Sequence, residues 1–186
     1  MNLTRKTVHT ACIAIGTAAF LGASGATAQP MPIDTIDEAV LLSTVNEETV
    51  APALAVVTGN QLVSVDADGN PMLIATATNG LRFEVRFRAC EAISGESKRH
   101  CKGVFIVGVW DALPESDRAA FADLMTGFSR QNPAVNAGLT GDGSPYLVRY
   151  VIADFGTPQG NMVSEFANYI RSATEFQNAI GSLYTQ

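Results

Sequence analysis

Residues 81–90 alternate without a break: Leu81, Phe83, Val85, Phe87 and Ala89 fall on one side, and Arg82, Glu84, Arg86, Arg88 and Cys90 on the other. Successive side chains of a strand point to opposite faces. The chain must therefore build a sheet with one buried face and one wet face, as antiparallel sheets commonly do. Asn79-Gly80, just before this strand, is a strong hairpin signal, because the favoured two-residue turn needs positive φ at both positions.

The same reasoning extends along the chain. Residues 61–65 and 72–78 flank the turn Asp66-Ala67-Asp68-Gly69-Asn70-Pro71, so with 81–90 they make three antiparallel strands. Residues 102–110 are apolar enough for an inner strand, and 134–140 and 145–153 flank Gly141-Asp142-Gly143-Ser144. A short helix is expected over 49–58, with Pro52 in its first turn and Gly59 at its end. Ser116 is expected to cap a second helix whose Phe121, Leu124, Met125 and Phe128 form one stripe. Thr157-Pro158 would open a third in cap-then-proline order, with Met162, Val163, Phe166, Ile170, Ala173, Phe176 and Ile180 on one side. The order is α-β-β-β-β-α-β-β-α, which predicts an α+β fold with an antiparallel sheet and helices packed on one face.

The first 28 residues have the three parts of an export signal: Arg5 and Lys6, a small-apolar run, and Ala26-Thr27-Ala28. Cleavage after Ala28 is expected, with Cys12 leaving in the signal and no membrane span following. The expected mature chain then has 158 residues (186 − 28), enough for one domain, with an acidic linker or loosely docked lead-in over 29–48 and the domain over 49–182. Its formal charge is −8, from ten Lys and Arg against eighteen Asp and Glu. The signal predicts a periplasmic or secreted protein, and the negative charge argues against binding to nucleic acid or an anionic membrane.

Against that background, residues 82–102 hold six cations and three acids, a local +3. Arg82, Arg86 and Arg88 project from one strand face, with Lys98, Arg99 and Lys102 nearby, as a candidate face for an acidic protein or peptide partner. The competing reading is a solvated face whose charges pair with neighbouring acids.

Cys90 and Cys101 close the loop CEAISGESKRHC. Export favours disulfides, and the loop joins two strands, so opposed cysteines would lie about 4.5–5.5 Å apart at Cα, within bonding range. A zinc site with His100 would need a fourth ligand, and His100 and Cys101 are adjacent, facing opposite ways in a strand. A catalytic redox pair would sit two residues apart at a helix start. A redox-responsive bond between Cys90 and Cys101 is the alternative to a structural one.

Other chemistry finds little material. Asp66-Ala67-Asp68-Gly69-Asn70 has its glycine too early for a calcium loop and no closing glutamate. A Ser-His-Asp triad would have to use His100, the one histidine expected in the mature chain. There is no phosphate loop and no evident carboxylate pair, so no metal, cofactor or catalytic residue is expected. An envelope enzyme with an unrecognised site is the remaining alternative.

The run TVAPALAVVTGNQLVSVDADGNPMLIATATNGLRFEVRFRAC, followed by CKGVFIVGVW and GFSRQNPAVNAGLTGDGSPYLVRYVIADFGTPQGNMVSEFANYI, resembles the YbjN domain. Carrying the resemblance over residues 49–180 are a D-x-D-G-x-P turn, a strand ending in a cysteine, a second cysteine opening the next strand, an N-x-x-x-x-A segment before a D-G-x-P turn, and a closing helix. The chain departs from the family at Phe128-Ser129, at the uncharged Pro133-Ala134-Val135 and in its longer cysteine loop. The resemblance implies a fold like that of type III secretion chaperones and a bacterial sensory transduction regulator without established catalytic residues. The expectation is a non-enzymatic binding module that offers an open sheet face and is able to self-associate as a homodimer.

Overall fold

A computed structural model describes residues 29–92 and 99–184. The expected export signal and Lys98 lie outside the described residues. Six strands form one antiparallel sheet: β2 (Thr58–Val65), β3 (Pro71–Ala77), β4 (Arg82–Ala92), β5 (Arg99–Val109), β6 (Asn136–Leu139) and β7 (Pro145–Ile152). Their spatial order is β2-β3-β4-β5-β7-β6. Three helices cover one face: α1 (Glu47–Ala55), α2 (Arg118–Gln131) and α3 (Gln159–Gly181). The chain is α+β, and these six strands and three helices follow the order read from its periodicity.

The core lies between the sheet and the helices. Leu73, Ala75, Phe83, Val85, Phe87, Val104, Ile106 and Leu147 meet Val50 and Leu54 of α1, Phe121 and Phe128 of α2, and Met162, Phe166, Tyr169 and Phe176 of α3. Tyr169 is fully buried, which raises its phenol pKa well above the ordinary value. Its hydroxyl donates to the Leu147 carbonyl at 3.1 Å, so its one polar atom is satisfied inside an apolar layer. Gly108 leaves room for that hydroxyl, since a Cβ there would come within 2.9 Å of it.

All three helix starts differ from the sequence expectation. The first helix starts two residues early, because Asn46 accepts from the backbone N–H groups of Glu48 and Thr49 while Thr49 Oγ1 accepts from Asn46 N–H. That reciprocal cap overrides the proline rule and leaves Pro52 inside the helix rather than in its first turn. Ser116 lies in a single 3-10 turn, Glu115–Asp117, and caps nothing; Asp117 precedes α2. Thr157-Pro158 forms β8, which pairs antiparallel with β1 (Leu41–Leu42), so α3 opens at Gln159.

The stretch expected as a linker or loosely docked lead-in is mostly exposed up to Leu41 and meets the core at its end. Leu42 and Val45 are buried, and Val45 exchanges backbone hydrogen bonds with Cys101 at 3.0 and 3.2 Å.

Alternation along β4 holds through Phe87 and fails at Ala89, which is exposed and has a φ of 52°. A non-glycine residue in that region is uncommon, and its effect is to re-aim the strand beyond it. Cys90 consequently packs against the core beside Cys101 instead of continuing the arginine face.

Candidate functional site

The helices leave the second face of the sheet uncovered. Strand register sets its cross-strand rows. One runs Leu62, Ile74, Glu84, Val107, Val148, Asn136, and the next runs Ser64, Met72, Arg86, Phe105, Tyr150. Arg88, Gly103 and Ile152 make a third. The face therefore carries two chemistries side by side: arginines on β4 and apolar side chains on β5 and β7.

The apolar part stays partly wet. Val107 and Val148 are covered by their neighbours, but Val109, Tyr150 and Ile152 remain 56 %, 49 % and 68 % exposed. The Phe105 and Tyr150 rings stand 6.5 Å apart between centroids, and the Arg88 guanidinium carbon lies 5.6 Å from the Phe105 centroid, within cation–π range. Tyr150 can lie across the strand because Gly103 has no side chain; a Cβ there would collide with the phenol. Beyond Ile152, the turn into β8 presents Phe155 at 97 % exposure.

The cations expected to form one patch divide into separate contacts. Arg86 donates to Glu84 at 2.8 and 2.5 Å, on its own strand. Arg88 stands 3.9 Å from Asp66, and Lys102 pairs with Glu91 at 2.9 Å. Arg99 donates to the Asn70 side chain at the β2–β3 turn. Arg82 shares the open face with Arg86 and Arg88, and its side chain forms no hydrogen bond or ion pair among the described residues. It borders a hollow of about 270 Å³ with Ile74, Glu84, Val107 and Val109.

Cys90 and Cys101 are directly opposed across β4 and β5, with their sulfurs bonded and their Cα atoms 3.9 Å apart, closer than the spacing expected from an ordinary strand pair. His100 stands opposite Glu91 in the register. Among the described residues no cluster of three His, Cys, Asp or Glu side chains could hold a metal, and no helix is long and apolar enough to cross a membrane.

The turn carboxylates are occupied by their own loops. Asp66 accepts from the backbone of Asn70 at 2.8 Å, from the Asn70 side chain at 3.2 Å and from the Asp68 backbone at 3.0 Å. Those donors, the Asn70 backbone N–H foremost, hold its pKa below the ordinary aspartate value, and Arg88 adds to the effect. Asp142 is held low in the same way, chiefly by the Thr140 hydroxyl and then by the Ser144 N–H. A depressed folded-state pKa adds stability that is present above the unfolded pKa, about 3.9, and is lost as pH falls through the folded value. Denaturant midpoints should accordingly fall as pH drops from 5 toward 2. Asp66→Asn should flatten that slope, and an unchanged slope would remove Asp66 from the account.

The apolar belt was the part of this face that arginine alternation could not reveal. Its signal was that residues 102–110 and 145–153 are apolar at both parities, which in a sheet with one wet face leaves hydrophobic groups exposed.

No family model matches the chain, and no curated protein matches it. Among solved structures, an uncharacterised protein from Methanothermobacter thermautotrophicus aligns with 76 % of this chain and 99 % of its own at 11 % identity, with a TM-score of 0.46.

Proposed function

We propose that this chain is an exported, non-enzymatic binding module of the YbjN type, which presents the open face of its sheet to a protein or peptide partner. The observation that carries the reading is the apolar belt that runs from exposed Val109 through Val107 and Val148 to exposed Tyr150 and Ile152, on the same face as the arginines of β4. Contiguous exposed apolar groups with a polar rim mark interaction surfaces, and aromatic and arginine side chains dominate interface energetics. Export is supported by the three-part pattern of residues 1–28 and by a bonded cysteine pair of the kind that persists in oxidising compartments. The YbjN resemblance and its chaperone-like architecture accord with a sheet backed by helices on one side.

The test is a partner captured from envelope extract on the mature, oxidised protein, purified, and titrated against variants. Tyr150→Glu with Ile152→Glu should weaken binding at least about tenfold, the scale of one lost interface anchor. Binding that is indifferent both to that pair and to reversal of Arg86 and Arg88 would place the partner on another surface and end the proposal.

A further inference from the structure

Resting on the reading of the open face as a binding surface, we propose that the hollow beside Arg82 anchors the C-terminus of a partner chain. The last residue's aliphatic side chain sits against Ile74, Val107 and Val109, and its own α-carboxylate sits on the Arg82 guanidinium.

Charge is the first support. On β4, Arg86 is committed to Glu84 and Arg88 to Asp66 and the Phe105 ring, which offsets the one carboxylate that borders the hollow. Arg82 keeps its donors, and a guanidinium with free donors binds a carboxylate in a two-point, charge-assisted geometry. Apart from Glu84, which Arg86 holds, the side chains beside it in the hollow include the aliphatic Ile74, Val107 and Val109, the last more than half exposed. The complement is a carboxylate immediately beside a branched or linear aliphatic group.

Size and stereochemistry select the terminus. At about 270 Å³ the hollow lies just under the range of small-molecule pockets, and its scale suits a residue or two rather than a cofactor or a helix. In an extended peptide, adjacent side chains point to opposite faces and the next one on the same face stands roughly 6–7 Å along the chain, so an internal acid does not sit immediately beside a leucine that enters the hollow. A terminal residue carries both groups on one Cα.

The experiment uses the mature, oxidised protein and three probes followed by amide and methyl NMR: acetyl-Gly-Ser-Val-Leu as the free acid, the same peptide as its C-terminal amide, and the amide acetyl-Gly-Leu-Glu-Gly. The free acid should bind at millimolar concentration and shift Ile74, Val107 and Val109. The amide should bind about tenfold more weakly, and Arg82→Gln should erase the difference between them. Equal affinity for acid and amide, preference for the internal glutamate, shifts elsewhere, or no saturable binding would each overturn the anchor. Failure here is separable from failure of the binding-face reading: a captured partner that tolerates Arg82→Gln but not Tyr150→Glu with Ile152→Glu keeps the face and discards the anchor.

Discussion

Phe176→Ala should lower the stability of the domain by about 3–5 kcal/mol, the range for removing a large buried ring from a packed core. Phe176 is completely buried on α3 and meets three aromatic rings: Trp110 at 4.8 Å, Phe128 at 5.3 Å and Phe121 at 6.3 Å between centroids. Tilted and edge-to-face pairs add about 0.5–1.5 kcal/mol beyond area burial, so the loss should fall in the upper part of the range. The three partners come from the residue after β5 and from two positions seven residues apart on α2, so the cavity cannot be filled by one local shift. The melting temperature should drop by about 10 °C for a domain of this size. Thermal unfolding by circular dichroism would measure it, and Trp110 emission would report the altered packing directly. Phe155→Ala serves as the control, since a side chain that is 97 % exposed should change stability hardly at all. A loss below about 1 kcal/mol for Phe176→Ala would mean that the aromatic layer is not the centre of this core.

Local periodicity sufficed for most of this architecture, and its failures have identifiable causes. The alternation Leu81-Phe83-Val85-Phe87 was readable because side-chain period and burial coincide there. It misplaced Ala89 because the αL backbone at that position comes from its surroundings, and nothing in an alanine announces it. The start of α1 is legible in principle, since Asn46 and Thr49 have capping-box spacing, whereas the proline rule applied to Pro52 puts the boundary two residues later. β1 and β8 were not legible, because two-residue strands brought together from positions 41–42 and 157–158 leave no local period.

The candidate site divides in the same way. That Arg82, Arg86 and Arg88 share a face is a consequence of spacing alone. Which of them stays unpaired is not, because Asp66 reaches Arg88 only through the β2–β3 hairpin, and Glu84 could have turned toward either neighbouring arginine. Likewise Arg99 finds Asn70 across 29 residues, a contact set by strand order rather than by composition.

Removing the disulfide, by Cys90→Ala with Cys101→Ala, should cost about 2–3 kcal/mol. In the chain-entropy description a 15-residue loop contributes about 3 kcal/mol, and the separation here is 11, so the cross-link term lies somewhat below that figure. Loss of packing adds to it, because Cys101 is only 2 % exposed and its backbone anchors the lead-in through Val45. Relief at Ala89 works in the opposite direction. An αL backbone at a non-glycine residue costs on the order of 1 kcal/mol, and without the bond that holds Cys90 inward the strand is free to relax. The relief is smaller than the combined losses, so the sign is a net destabilisation. Amide exchange should quicken first at Val45 and Cys101, where the lead-in meets β5. Reduction of the wild-type protein should reproduce the shift in denaturant midpoint, and alkylation without reductant should label no thiol in the mature, folded chain. Two reactive thiols would refute the structural bond. A reduced protein that keeps its stability but changes its affinity for a face-binding partner would instead favour the redox-responsive reading, because the bond would then act on the surface rather than on the core.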